Sequence, residues 1–139
     1  MKLTPEQLTR LKQASIEALK TPYPKDSKGV FAAAVLTTTN KIFASAQYFS
    51  DTYSLTLHAE QAALAHAAAH GQGEIIAIAI TSNQQDQPMA YPCHMCKQLL
   101  WESHLRSKQP MTIIVFDQQG NQEQLNLDDI INYPWPPKK

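Results

Sequence analysis

The order of apolar segments predicts an α/β fold with three layers, α/β/α, around a mixed five-stranded sheet. Three observations lead there. Two strand-like runs, "VFAAAVLTT" and "KIFASAQYF", meet near Asn40 as in a hairpin. Two later runs, "EIIAIAITS" and "MTIIVFD", alternate with helical stretches, so that strand, helix, strand, helix, strand follow one another. Such β-α-β-α-β units form parallel pairings through right-handed crossovers. A hairpin followed by these crossovers gives a mixed sheet with helices on both faces.

Each element has its own local reason. Thr4 can cap a helix, Pro5 suits its first position and Gln7 completes a capping box. Leu8, Leu11, Ala14, Ala18 and Leu19 then recur at helical spacing. "TPYPKDSKG", residues 21–29, is a loop with two prolines, and "DTYS" breaks the pattern after the hairpin. Residues 58–70 read as a helix ended by Gly71, and 74–82 as a buried strand followed by a polar loop over 83–92. Residues 93–106 form a helix with Leu99, Leu100 and Leu105 on its apolar side, and Trp101 reads as core. A strand at 111–117, the turn "DQQGN", a short edge strand "QEQLNL" and a helical turn from Asp128 to Ile131 complete the order. The tail "YPWPPKK" cannot continue a helix, and the role of Trp135 in it is open.

The chain of 139 residues is long enough for one domain, residues 1–139, with a real core. "MKLTPEQLTRLKQ" turns polar at once, so no signal peptide is expected. No apolar run approaches the roughly 18–20 residues of a membrane span. Two cysteines three positions apart do not make a disulfide framework, which fits a reduced, cytoplasmic setting. Net charge is zero. From Ile42 to Cys96 there is no Lys or Arg, while Asp51, Glu60, Glu74 and Asp86 all lie there; Lys41 and Lys97 border the gap. A nucleic-acid backbone is gripped largely by such cations. An uncharged small molecule is therefore the expected partner, with no nucleic acid and no membrane.

Two short motifs carry chemistry. Cys93 and Cys96 share one face of a first helical turn, where the helix N-terminus favours thiolate. Thiolates bind zinc, and His58 at the head of the preceding helix is an acceptable third ligand. Three protein ligands leave one position open, which is what catalytic Zn²⁺ needs to acidify water. Glu60 reads as a proton carrier. On a regular helix i and i+2 point about 200° apart, so His58 must lie in or before the first turn if both are to approach one ion. Such a site suits hydrolytic attack on an amidine-like carbon, with loss of ammonia.

Two other readings stay open on the residues alone. Cys93 and Cys96 can be a thiol redox pair, which leaves His58 and Glu60 idle. A structural zinc needs a fourth ligand, for which His94 or His104 are candidates. His66 and His70 read as packing or surface residues.

His58-Ala59-Glu60 with Pro92-Cys93-His94-Met95-Cys96 matches the H-x-E and P-C-x-x-C signature of zinc deaminases. "YSLTLHAEQAALAHA" and "PCHMCKQLLWE" resemble the two signature segments of cytidine deaminases. "TPYPKDSKGVFAAAVLT" resembles their N-terminal segment and first strand, and "DDIINYPWP" their C-terminal ending. The resemblance spans nearly the whole chain and favours the small homotetrameric type, with active sites near subunit contacts.

It implies His58, Cys93 and Cys96 as zinc ligands and Glu60 as catalytic proton shuttle. It also implies an Ala59 backbone contact to the pyrimidine edge and a Tyr91 carbonyl that receives the departing amino group. Tyr53 would lie near the site and a subunit contact. In the family the sugar-binding strand reads Asn-x-Glu-Asn; here it is Gln47-Tyr48-Phe49-Ser50. Gln47 can hydrogen-bond, whereas Phe49 cannot accept a ribose hydroxyl. Asp26-Ser27-Lys28 replaces the usual aromatic, and His94 and Lys97 replace Gly and Arg beside the cysteines. The expected reaction is thus deamination of a cytidine-like nucleoside or related aminopyrimidine. A different amino-heterocycle, such as a cytosine-containing nucleoside antibiotic or an aminopurine, is the alternative. A further reading, a binding or sensing protein without catalysis, is motivated by the altered strand Gln47-Tyr48-Phe49-Ser50.

Overall fold

The computed structural model describes residues 2–84 and 89–138. The expected loop at 83–92 therefore lies partly outside the described residues. In chain order the elements are α1 (Pro5–Ala18), β1 (Phe31–Thr37), β2 (Ile42–Ala46), α2 (Ala59–Ala69), β3 (Ile75–Ser82), α3 (His94–Ser107), β4 (Thr112–Phe116), β5 (Gln122–Asn126) and α4 (Leu127–Ile130). The sheet has five strands in the order β2-β1-β3-β4-β5. Pairing is antiparallel except for β3 with β4.

The first crossover departs from a simple parallel unit. β1 lies between β2 and β3 and runs antiparallel to both. The connection through α2 therefore passes over β1 before entering β3. The second crossover, β3-α3-β4, joins adjacent parallel strands. The layers follow from two core clusters. On one face Leu11 of α1 packs with Ala34, Leu36, Ala77, Ala79 and Ile114. On the other, Ala59, Ala63 and Ala67 of α2 and Leu100 and Trp101 of α3 pack with Ala33, Val35, Ile78 and Ile113. Successive residues of β1 thus serve opposite faces, as pleating requires.

Alanine does most of the work of close approach. Ala59, Ala63 and Ala67 recur every four residues along α2 and are fully buried. Opposite them β1 presents Ala33 and Val35, while Ala34 and Leu36 face α1. The small side chains along α2, met by Ala33, let the helix sit close to the sheet, which fixes where its N-terminus points. At α1 the capping box is present: Thr4 Oγ1 accepts the Gln7 N–H at 3.1 Å and Gln7 Oε1 accepts the Thr4 N–H at 3.0 Å. Asn40 takes a left-handed φ of 64° in the β1–β2 turn, a conformation asparagine tolerates better than most residues.

The expected second strand is shorter than its apolar run. β2 ends at Ala46, and Gln47 turns its side chain back so that Oε1 accepts the Phe31 N–H at 2.9 Å. Tyr48 then makes only isolated bridges, to Tyr23 and to Leu57. Among the described residues no helix is long and apolar enough to cross a membrane.

Candidate functional site

The site lies where α2 and α3 begin. His58 is the N-cap of α2, with extended backbone at φ −68° and ψ 155°. Its own N–H is accepted by Gln61 Oε1 at 2.8 Å. Gln61 thus fixes the cap and leaves the imidazole free to face α3. Cys93 is the N-cap of α3, and its Sγ lies 3.5 Å from the Cys96 amide nitrogen, which donates to it. Pro92, buried just ahead, fixes the entry.

The two helix starts converge. His58 Nδ1 is 3.3 Å from Cys96 Sγ and 3.5 Å from Cys93 Sγ. One donor atom from each of the three residues lies within 4.8 Å of the others. Two sulfurs and one imidazole nitrogen are the donor set that zinc prefers, and two thiolates neutralise its charge. Cys93 is exposed and Cys96 fully buried, and both are free thiols. Among the described residues no fourth His, Cys, Asp or Glu joins this cluster. His94 is exposed, and His104 sits on the last turn of α3, its Nδ1 2.6 Å from the Gln109 carbonyl. Neither converges on the sulfurs.

Glu60 is 6 % exposed. Burial pushes its carboxyl above the usual range, against the opposing pull of its own backbone N–H, of Cys96 and of His58. Burial also pushes the Cys96 thiol up, helped by the neighbouring negative charges of Glu60 and Cys93. For Glu60 this is the penalty of burying a carboxylate, and for Cys96 that of burying a thiolate beside other negative charge; a divalent cation at the cluster relieves both. The residues present therefore fit zinc.

The other expected site residues are placed less tightly. Ala59 is the first residue of α2 and is buried. Tyr91 is half exposed, and its phenol donates to Glu123 on the edge strand β5, which raises its pKa. Phe49 is half-buried, and its N–H donates to the Tyr23 carbonyl at 2.7 Å. The Gln47 side-chain oxygen Oε1 is committed to the Phe31 N–H. Tyr53 is 84 % exposed in a turn, with φ 49°, and its side chain makes no hydrogen bond among the described residues. Reading the sequence missed two supporting residues. Gln61 had a signal, a glutamine three positions after a cap; Glu123, in a remote strand, had none.

Residues 5–110 match the model of a family described as the cytidine and deoxycytidylate deaminase zinc-binding region. The chain belongs to this family. Solved structures agree on the fold. A cytidine deaminase from Burkholderia pseudomallei is 25% identical, with TM-score 0.80 over 96% of this chain and 100% of that one. A cytidine deaminase from Mycobacterium tuberculosis is 21% identical, with TM-score 0.73 over 92% of this chain and 96% of that one. One from Bacillus anthracis is 15% identical, with TM-score 0.67 over 91% and 88%. The mixed sheet and flanking helices are thus those of cytidine deaminases, and the His58-Cys93-Cys96 cluster fits the zinc that this deaminase family binds.

Proposed function

We propose that the chain catalyses zinc-dependent hydrolytic deamination of a cytidine-like nucleoside or related aminopyrimidine. The observation that carries this reading is the open three-donor cluster of His58, Cys93 and Cys96 beside the buried carboxylate of Glu60. Zinc held there supplies a Lewis acid that makes water acidic enough to attack near neutral pH.

The protein's own groups do the rest. Glu60 takes a proton from the attacking water and passes it to the substrate's ring nitrogen. It then takes the proton of the newly added hydroxyl and gives it to the departing amine, so that the C–N bond breaks, ammonia leaves and a carbonyl remains. Its burial beside the cluster keeps the carboxyl within reach of the reacting groups and away from bulk water. The Ala59 backbone contacts the pyrimidine edge, and the Tyr91 carbonyl receives the departing amino group.

A second substrate reading is favoured by the segment after β2. Gln47 Oε1 already accepts a backbone N–H, and Phe49 has no polar atom on its side chain. Discrimination against substrates with free ribose hydroxyls follows, and a modified nucleoside or another amino-heterocycle then suits the site better than cytidine. Homo-oligomerisation belongs to the same proposal. Tyr48, Tyr53, Leu55 and Leu57, in the segment that leads into α2, and Met95, in the first turn of α3, are all at least 47 % exposed. A further copy of the chain covers them and closes the site.

Ammonia release from cytidine, deoxycytidine, dideoxycytidine, aminopurines and pterins, assayed with zinc-loaded protein, tests the proposal. Turnover of at least one aminopyrimidine, lost in Glu60→Ala, supports it. Zinc binding with no ammonia from any of them turns the reading to a non-catalytic binder. A Cys93–Cys96 disulfide that forms readily, with zinc dispensable, turns it to thiol redox chemistry.

A further inference from the structure

We propose that His66 and His70 form a second metal site, an open pair of imidazoles for a divalent transition ion such as Ni²⁺ or Cu²⁺. His66 lies in the last turn of α2 and His70, four positions on, is its C-cap, so the two rings neighbour one another at the end of the helix. That is the spacing at which two histidines on a helix can hold one ion. Their ring centroids are 5.1 Å apart at an interplanar angle of 65°.

Hydrogen bonding sets the tautomer of both rings. His66 Nδ1 is 3.0 Å from the Ala44 carbonyl oxygen on β2, and His70 Nδ1 is 3.0 Å from the His66 carbonyl oxygen. A carbonyl only accepts, so each Nδ1 carries the hydrogen and donates. In a neutral imidazole the lone pair is then on Nε2. A ring held by its other nitrogen on a backbone carbonyl is the usual state of a metal-ligating histidine, because it fixes orientation and raises basicity.

The rings are also held in place before any ion arrives. Phe43 lies edge-on to His66, with centroids 5.2 Å apart, and tilted against His70 at 5.1 Å. Both histidines are exposed, so water can fill the remaining coordination positions. Imidazole donors select nickel, copper or zinc over magnesium and calcium, which want oxygen. The pair is independent of the sulfur cluster. His66 stands about 12 Å along α2 from His58, at a rise of 1.5 Å per residue.

Titrating Ni²⁺ into untagged, zinc-loaded protein by calorimetry tests this, with zinc release followed in parallel. One nickel per chain is expected beyond the zinc already present, with the zinc retained. Paramagnetic broadening should centre on the His66 and His70 ring resonances. His66→Gln or His70→Gln should each weaken nickel binding by more than tenfold and leave zinc content unchanged. Should the sulfur cluster hold no zinc, the same titration in a Cys93→Ser/Cys96→Ser background still reads the histidine pair alone. Absence of a nickel equivalent there or in the parent protein, or equal binding by His66→Gln/His70→Gln, overturns the proposal.

Discussion

The start of α2 and the segment that leads into it, residues 47–57, adjoin in sequence and differ in how they are held. At the helix start a cap, a stripe of buried alanines and a facing helix leave His58 and Glu60 little freedom. Before it, the chain forms no helix or strand, only isolated bridges of Tyr48 to Tyr23 and to Leu57, and Tyr53 and Leu55 stand 84 % and 69 % exposed. Rigid elements carry groups that need a fixed geometry, and irregular exposed segments are where substrate and partner contacts are expected. The reaction therefore reads more firmly than the substrate.

Four substitutions break or sharpen this contrast. The largest effect belongs to the helix start. Glu60→Gln should lower kcat/KM on the best substrate by roughly 10²–10⁴-fold, the range for general acid–base groups, about 3–5 kcal/mol of barrier. Zinc content should stay unchanged, and equal activity would place the proton carrier elsewhere. Next is the loose segment. Phe49→Glu should improve the preference for ribose-bearing over hydroxyl-free substrates by up to about a hundredfold, the worth of one buried hydrogen bond of 1–3 kcal/mol. Unchanged ratios of kcat/KM would show that this strand does not read the sugar.

Two smaller effects probe the scaffold. Ala63→Leu should overpack the contact between α2 and β1 and cost about 1–3 kcal/mol in urea unfolding. A neutral result would mean that the alanine stripe is not what seats the helix. The smallest effect lies far from the site, in the β4–β5 turn. Asp117 accepts from Asn121 Nδ2 at 2.8 Å and from the Gln119 and Asn121 N–H groups, which hold its pKa below the ordinary 3.8. A depressed folded pKa stabilises the fold above the unfolded value. That contribution is lost as pH falls below about 4 through the folded one. Asp117→Ala should therefore flatten the acid limb of the stability profile below pH ~4 while deamination is unaffected.

What the sequence revealed divides along the same line. Helix caps, alternation and the H-x-E and P-C-x-x-C spacings are local, so α1, the hairpin and the donor set of His58, Cys93 and Cys96 could be read directly. The position of β1 between β2 and β3 could not, because helix-connected strands need not be neighbours and nothing local says which strand is skipped. Gln47 looked available for substrate, and only the fold shows its oxygen taken by Phe31. Glu123 reaches Tyr91 across 32 positions, a pairing that no spacing rule predicts. His66 and His70 looked like surface residues; their tautomers became legible only once Ala44 was seen beside them.

X-ray absorption at the zinc edge on the purified chain tests the central claim most directly. One zinc per chain should appear with two sulfurs near ~2.3 Å, one imidazole nitrogen near ~2.0 Å and one further light atom that is not a second imidazole. Cys96→Ser should abolish that signature. Protein without stoichiometric zinc, or zinc bound by two sulfurs and two imidazoles, would contradict an open three-ligand site beside Glu60.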